Sequence, residues 1–327
     1  MRLFLVQTRR RSGESTTLAG IDSFPMIIVK LMGGMGNQMF QYATALRLAT
    51  RHQTVLKLDL SFLLDRTPGG NFEFREFALE VFPFKAPAAD AGEVRRFRRL
   101  LNPGARTLTE RVADQFSSRR CFLEEKPGFD PRVLDLPADS YLEGYFQDER
   151  YFADITPLVR EHFHLTPDER TLPASTRSLA DEIRESDSVC VQVRRGDFVN
   201  NPEVNKVHGI CSLDYYLEGL KVLRERGKNG KVFVFSDDAE WCRQNLGGLA
   251  GVEVVGEEHT GPHNSTHLWL MTLCGSFVLS NSSFGWWAAW LCRHPDKTVV
   301  RPDRWFKLPG GDNPDICPRD WIKLATG

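Results

Sequence analysis

Met26-Ile-Ile-Val-Lys-Leu31, then Gly33-Gly34-Met35-Gly36-Asn37, then Gln38 to about Arg51: the reading of this stretch decides the fold. Its first segment is a short apolar, β-branched run, the pattern of a buried strand. Its last segment carries Met39, Tyr42, Ala43 and Leu46 on one face at helical spacing. Thr54–Leu58 reads as the next strand and ends at Asp59. Strand, glycine turn, helix, strand is a βαβ unit.

Farther along, the alternation becomes regular from Ser188. Strands are expected at Ser188–Val193, Lys231–Phe235, Val252–Val255, Ser276–Ser280 and Lys297–Val300. Helices are expected from Ser212, an N-cap candidate, to Arg226, and at Ala239–Leu246, Thr266–Cys274 and Phe284–Arg293. Strands alternating with helices of this length predict parallel sheets covered on both faces. A polar, Pro-bearing break near 165–185 divides the chain into two α/β domains, 26–168 and 169–327. Residues 1–25 are polar after a four-residue apolar stretch and read as a disordered leader, too short in apolar character for a signal segment.

Composition narrows the function classes. The chain has 327 residues, 42 Lys+Arg against 43 Asp+Glu, and a formal charge of −1. That balance argues against a general nucleic-acid binder, which needs a basic surplus. Seven cysteines stand singly, without a C-x-x-C pair, and read as reduced thiols of a cytoplasmic protein. The Arg-rich stretch Arg95-Arg96-Phe97-Arg98-Arg99, with Arg106, Arg111, Arg119 and Arg120 beyond, reads first as a solvated helix face. Its alternative reading is a dock for an anionic membrane surface or a lipid-diphosphate-linked glycan.

Open parallel sheets bind ligands beyond the carboxyl ends of their strands, and the polar clusters obey that rule. Arg194 and Arg195 follow one strand, and their guanidinium forks suit a diphosphate. Gly196 permits a tight turn there, and Asp197 is placed to orient a guanidinium; the plain alternative is a structural Arg–Asp pair. Asn281-Ser282-Ser283 precedes a Trp-rich helix and offers either a second anion site or ordinary capping. Asp237 and Asp238 follow a third strand, to hold Mg²⁺ with a diphosphate or, better given the nearby arginines, to accept from a nucleotide's sugar or base. Gly34 and Gly36 match a dinucleotide turn only in part, since Met39 stands where a third small residue belongs. No H-x-x-x-H spacing and no G-x-S-x-G elbow occurs.

Together these strings resemble the α-1,2-fucosyltransferases, bacterial and animal, of glycosyltransferase family 11. The matching stretches are Gly33-Gly-Met-Gly-Asn-Gln-Met-Phe-Gln-Tyr-Ala43, Gly144-Tyr-Phe-Gln147 with Tyr151-Phe152, and Val193-Arg-Arg-Gly-Asp-Phe198. Phe235-Ser-Asp-Asp238 with Trp241-Cys242, and Ser280-Asn-Ser-Ser-Phe-Gly-Trp-Trp-Ala-Ala-Trp-Leu291, complete the set. The resemblance implies a GT-B-like fold, two Rossmann-like domains facing across a cleft. It implies GDP-fucose as a substrate, inversion at the anomeric carbon, no cofactor and no required metal. The family's arginine string usually begins with His; Gln192 stands there instead, keeping a donor and an acceptor but no titratable charge.

On that reading Arg194 and Arg195 meet the charge that grows on the departing β-phosphate. Ser282 and Ser283 hold phosphate oxygens, Asp237 or Asp238 accepts from guanine or ribose, and Asn37 reaches across from the N-terminal domain. Asp59 is the first candidate for the general base, with Glu143 second. The acceptor is expected to be a galactose-terminated oligosaccharide or lipid-linked glycan. Two alternatives stay open at this point, an NAD(P)-dependent oxidoreductase and a sugar-binding protein without turnover.

Overall fold

The computed structural model describes residues 24–67, 74–101, 119–168, 170–307, 313 and 315–326. The expected leader up to residue 23, and Arg106 and Arg111 of the basic stretch, lie outside the described residues. Two all-parallel sheets carry the fold, in the GT-B-like layout expected. The first joins β1 (Met26–Lys30), β2 (Val55–Asp59), β3 (Arg120–Leu123) and β4 (Ser140–Glu143) in the order β2-β1-β4-β3. The second joins β5 (Val189–Val193), β6 (Val232–Ser236), β7 (Val252–Val254), β8 (Ser276–Leu279), β9 (Thr298–Pro302) and β10 (Ile322–Leu324). Its order, β10-β9-β8-β5-β6-β7, is the doubly wound 3-2-1-4-5-6 pattern, whose strand order reverses between β5 and β8.

The helices are α1 (Met35–His52), α2 (Ser61–Leu64), α3 (Ala91–Arg98), α4 (Thr156–His162), α5 (Ala174–Glu185) and α6 (Gly196–Asn200). There follow α7 (Pro202–His208), α8 (Leu213–Glu225), α9 (Ala239–Asn245), α10 (Ser265–Thr272) and α11 (Ser283–Leu291). Ser212 caps α8 as expected, its Oγ accepting from the N–H of Tyr215 at 3.2 Å. Helix α1 starts three residues before the expected Gln38, so Gly36 and Asn37 belong to its first turn rather than to a loop. The stretch between β5 and Ser212, given no element from the sequence, holds α6 and α7, and β10 is a strand the alternation did not reveal.

One hydrophobic cluster crosses from sheet to sheet. It runs from Ile27 and Val29 of β1 through Met39 and Phe40 of α1 to Trp286 and Trp287 of α11, and on to Phe233 and Phe277. Phe40 packs 4.5 Å from the Trp286 ring and 4.9 Å from the Trp287 ring. Each indole N–H of α11 is satisfied by a different element. Trp286 donates to the Ile316 carbonyl (2.8 Å), Trp287 to the Gly36 carbonyl (2.9 Å) and Trp290 to Glu149 Oε2 (3.0 Å). The bonded N–H groups let large amphipathic rings sit at the seam without a desolvation penalty. His263, in the loop before α10, adds a polar link at 2.9 Å to Glu80.

The basic stretch is partly used inside the fold. Arg96 and Arg119 both reach Asp139 (3.3 and 3.1 Å) and flank the buried Phe97 ring. No helix among the described residues is long and apolar enough to cross a membrane.

Candidate active site

The strand order fixes where to look: the crevice outside the carboxyl ends of β5 and β8. Arg194 and Arg195 leave β5 there, and Asn281 to Ser283 leave β8 and open α11. Parallel pairing of β5 with β6 sets Val193 beside Ser236, so the next residues of each strand also lie together. Asp237 Oδ2 therefore meets Arg194 Nη1 at 2.7 Å, while Asp237 Oδ1 accepts from the Arg195 backbone N–H at 2.8 Å. Asp238 Oδ2 accepts from Arg195 Nε at 3.1 Å, and its Oδ1 caps α9 through the Trp241 N–H. Arg195 also lies over the Trp241 ring, 4.2 Å from its centroid, and Arg194 over Phe198 at 5.4 Å.

These contacts divide the labour between the arginines. Arg195 is clamped by a carboxylate and an indole. Arg194 shares one terminal nitrogen with Asp237 and is the more exposed of the two, 24% against 17%. The aspartates expected to accept from a nucleotide are instead spent on holding the arginines. Asp237 and Asp238 are arginine partners that the sequence reading did not name; Asp197 lies within α6, and its side chain is outside the described residues.

Several other expected ligand residues turn out to build the walls. Asn281 donates from Nδ2 to the carbonyls of His208 (2.8 Å) and Trp305 (3.1 Å), tying two loops together. Gln192 is buried and accepts from Ser280 Oγ at 2.6 Å, and its side chain fills the space beside Gly285. Gly36 faces α11: a Cβ there would stand 2.5 Å from the Ser283 carbonyl carbon and 2.6 Å from the Phe284 nitrogen. Its lack of a side chain serves helix packing, so the dinucleotide-turn reading fails on steric grounds. Gly34 differs, with no heavy atom within 4 Å of a Cβ built on it. Asn37 accepts from Gln147 Nε2 at 2.8 Å, joining α1 to the loop after β4.

Ser282 occupies the N-cap of α11 with extended backbone (φ −126°, ψ 123°), and its side chain makes no capping bond. Capping, the plain alternative, is therefore not what this hydroxyl does. The first turn of α11 holds no acidic residue, which leaves the positive end of its dipole uncompensated beside the arginines.

Both base candidates are corrected by the geometry. Asp59 is 2% exposed, with Oδ2 accepting from the Tyr141 hydroxyl (2.7 Å) and Oδ1 from the Ser61 N–H (2.9 Å). Glu143 is ion-paired with Lys30 at 2.6 Å and lies 3.8 Å from Arg98. Among the described residues no cluster of His, Cys, Asp and Glu has the arrangement of a metal site. A cavity of about 180 Å³ opens beside the crevice, lined by His208, Cys211, Asn281, Arg304, Phe306 and Lys307 among others.

Residues 123–324 match the family description "Glycosyl transferase family 11". The chain is 30% identical over 310 residues to an alpha-1,2-colitosyltransferase of Escherichia coli, covering 91% of this chain and 99% of that one. It is 28% identical over 306 residues to the O-antigen biosynthesis glycosyltransferase WbnK of Escherichia coli, covering 90% and 99%. Among solved structures, NodZ alpha-1,6-fucosyltransferase soaked with GDP-fucose aligns with a TM-score of 0.44 at 16% identity, over 82% of this chain and 92% of that one. On the family match and the near-full-length relatives, this chain belongs to glycosyl transferase family 11.

Proposed function

We propose that the protein is an inverting α-1,2-glycosyltransferase that moves L-fucose from GDP-β-L-fucose to the 2-hydroxyl of a terminal galactoside during surface-polysaccharide synthesis. One observation carries the reading: two arginines, each anchored by an aspartate just past β6, stand beside an α-helix N-terminus at the strand-order reversal. That arrangement suits a nucleoside diphosphate. Residues 169–327 form the donor side and 26–168 the acceptor side in this proposal.

The chemistry follows from charge. As the bond from the anomeric carbon to the β-phosphate oxygen lengthens, the sugar becomes oxocarbenium-like and negative charge grows on GDP. Arg194 turns its guanidinium to that charge while Asp237 keeps the fork in place. Arg195, Ser282, Ser283 and the α11 N–H groups hold the diphosphate in the ground state. Donors placed in advance cost no reorganisation when the charge appears, and losing one typically costs ~10²–10³ in rate.

Family membership supports glycosyl transfer, and the names of the near-full-length relatives support a 1,2 linkage. The colitosyltransferase relative also favours a second donor reading, GDP-colitose, the 3-deoxy counterpart of GDP-fucose. The oxidoreductase alternative loses its support with the closed Gly36 turn. Purified protein is offered GDP-fucose or GDP-colitose with a panel of galactosides, and products are read by mass spectrometry. A fucosylated β-galactoside linked at position 2 is expected; binding of GDP without any product supports a non-catalytic protein instead.

A further inference from the structure

We propose that Glu124 takes the proton of the acceptor hydroxyl, and that the neighbouring Tyr145 ring is the platform on which the acceptor sugar lies. This assignment rests on the glycosyl-transfer reading above and supplies the base that Asp59 and Glu143 cannot.

The argument begins with position. Glu124 is the first residue past β3, at the carboxyl edge of the acceptor-side sheet. Its carboxylate holds the loop after β4, accepting from the Tyr145 N–H at Oε2 (2.6 Å) and from the Phe146 N–H at Oε1 (3.2 Å). That loop stands at the seam with the donor half. Gln147 donates to Asn37 at 2.8 Å and accepts, through its carbonyl, from Asn313 Nδ2 at 3.0 Å. Asn37 follows Gly36, which packs against the start of α11.

Availability separates Glu124 from the other carboxylates of this sheet. Asp59 is enclosed by Tyr141 and Ser61, Glu143 is paired with Lys30, and Asp139 is paired with Arg96 and Arg119. Among the described residues no cation pairs with Glu124. Two backbone N–H groups occupy only part of its four lone-pair sites, so each oxygen keeps room for another hydrogen bond. Burial holds its carboxyl above the ordinary range, against the pull of the Tyr145 and Phe146 N–H groups. A raised proton affinity suits a general base.

Strain marks the same place. Phe146 has φ +50°, a left-handed backbone that a bulky residue rarely adopts, and its ring is wholly buried between Phe122 and Tyr151. Tyr145, the residue before it, is 42% exposed, and its backbone N–H holds the carboxylate. An exposed aromatic face next to a carboxylate is a sugar-binding pair: the ring takes the apolar face of a pyranose and the carboxylate its hydroxyl. Gly144 leaves the room that the Glu124 stem occupies.

In the step, the acceptor oxygen bonds to the anomeric carbon as its proton passes to a Glu124 oxygen. The bond from that carbon to the phosphate oxygen breaks, and its electron pair leaves with GDP. The glutamic acid then returns its proton to solvent.

The test measures initial rates with GDP-fucose and the best galactoside across pH, beside GDP calorimetry. Glu124→Gln should lower kcat by ~10²-fold or more, with GDP affinity, galactoside KM and melting temperature kept. The acidic limb of the wild-type kcat profile should vanish in this variant. Tyr145→Ala should chiefly raise galactoside KM. Retained kcat and acidic limb in Glu124→Gln, while wild type transfers, overturns the assignment alone. Lost GDP binding or a collapsed melting temperature in that variant assigns Glu124 to the loop's architecture and overturns its role as base. A wild-type protein that transfers to no galactoside overturns the functional reading itself.

Discussion

Replacing Gly36 by Ala tests the seam between the two halves. In most helices the change would be mildly favourable, by about 0.5–1 kcal/mol. Here the added Cβ would lie 2.5 Å from the Ser283 carbonyl carbon and 2.6 Å from the Phe284 nitrogen. Ordinary carbon contacts sit at roughly 3.5–4 Å, so α1 and α11 must separate by about 1 Å. The obstructing atoms are backbone and cannot swing aside, which puts the penalty near the ~3 kcal/mol upper end for overpacking. Separation also stretches the 2.9 Å bond from Trp287 to the Gly36 carbonyl, worth about 1 kcal/mol. After the helix gain, a net loss of about 3 kcal/mol should lower the melting temperature by roughly 5–10 °C. GDP binding should weaken too, because Ser283 opens the helix whose N-terminus faces the diphosphate. Gly34→Ala is the control: its φ of −77° is ordinary and nothing lies within 4 Å, so its melting temperature should move by ~1 °C or less. Calorimetric unfolding and GDP titration of both variants decide the matter. An unchanged melting temperature with lost GDP binding in Gly36→Ala would refute the packing argument and restore a ligand-facing glycine.

Arg194→Lys keeps the charge but offers one compact ammonium for both Asp237 and phosphate, so kcat should fall ~10²-fold while GDP affinity drops less; near-full turnover would leave Arg194 a mere partner of Asp237. Transfer should persist in EDTA, because the cationic charge comes from arginines that Asp237 and Asp238 already hold; activity abolished by EDTA and restored by Mg²⁺ would reassign those aspartates. Burial keeps the His162 and His267 pKa values below the ordinary 6.5. The unfolded chain then binds protons the fold does not, so the stability they contribute is present above about pH 6.5 and is lost as pH falls. The melting temperature should decline from pH 7.5 to 5.5, and a double substitution of these histidines by Gln should flatten that decline; an unflattened slope refutes the assignment.

The sheet skeleton was legible because its strands are continuous apolar runs. Val189–Val193 and Val232–Ser236 read as buried strands from composition alone, and their ends located the crevice. What the pattern could not supply was register across the sheet. That register, Val193 beside Ser236, is what sets Arg194 opposite Asp237. Asp59 misled for a related reason: its burial depends on Tyr141, eighty-two positions away. Helix α1 hid its start because Gly34 caps it without a side-chain bond. Nothing in Leu123-Glu124-Glu125-Lys126 signals a site, and only the turn of Tyr145 and Phe146 back onto Glu124 reveals its bonding.

The three indoles of α11 bear on how substrates enter and leave. Rocking the two halves apart would withdraw the three rings from Phe40 and Phe152, and the N–H groups of Trp287 and Trp290 from Gly36 and Glu149. The rings also pack on one another and on Trp321 within their own half; a buried aromatic covers about 150–250 Å², so exposing half of that surface would cost roughly 6–9 kcal/mol at ~25 cal/mol/Å². Such an open form would be populated in fewer than about one molecule in ten thousand at equilibrium, a factor of ten for each 1.4 kcal/mol. The seam therefore favours traffic at the rim, by rearrangement of peripheral loops, over a change in the width between the sheets.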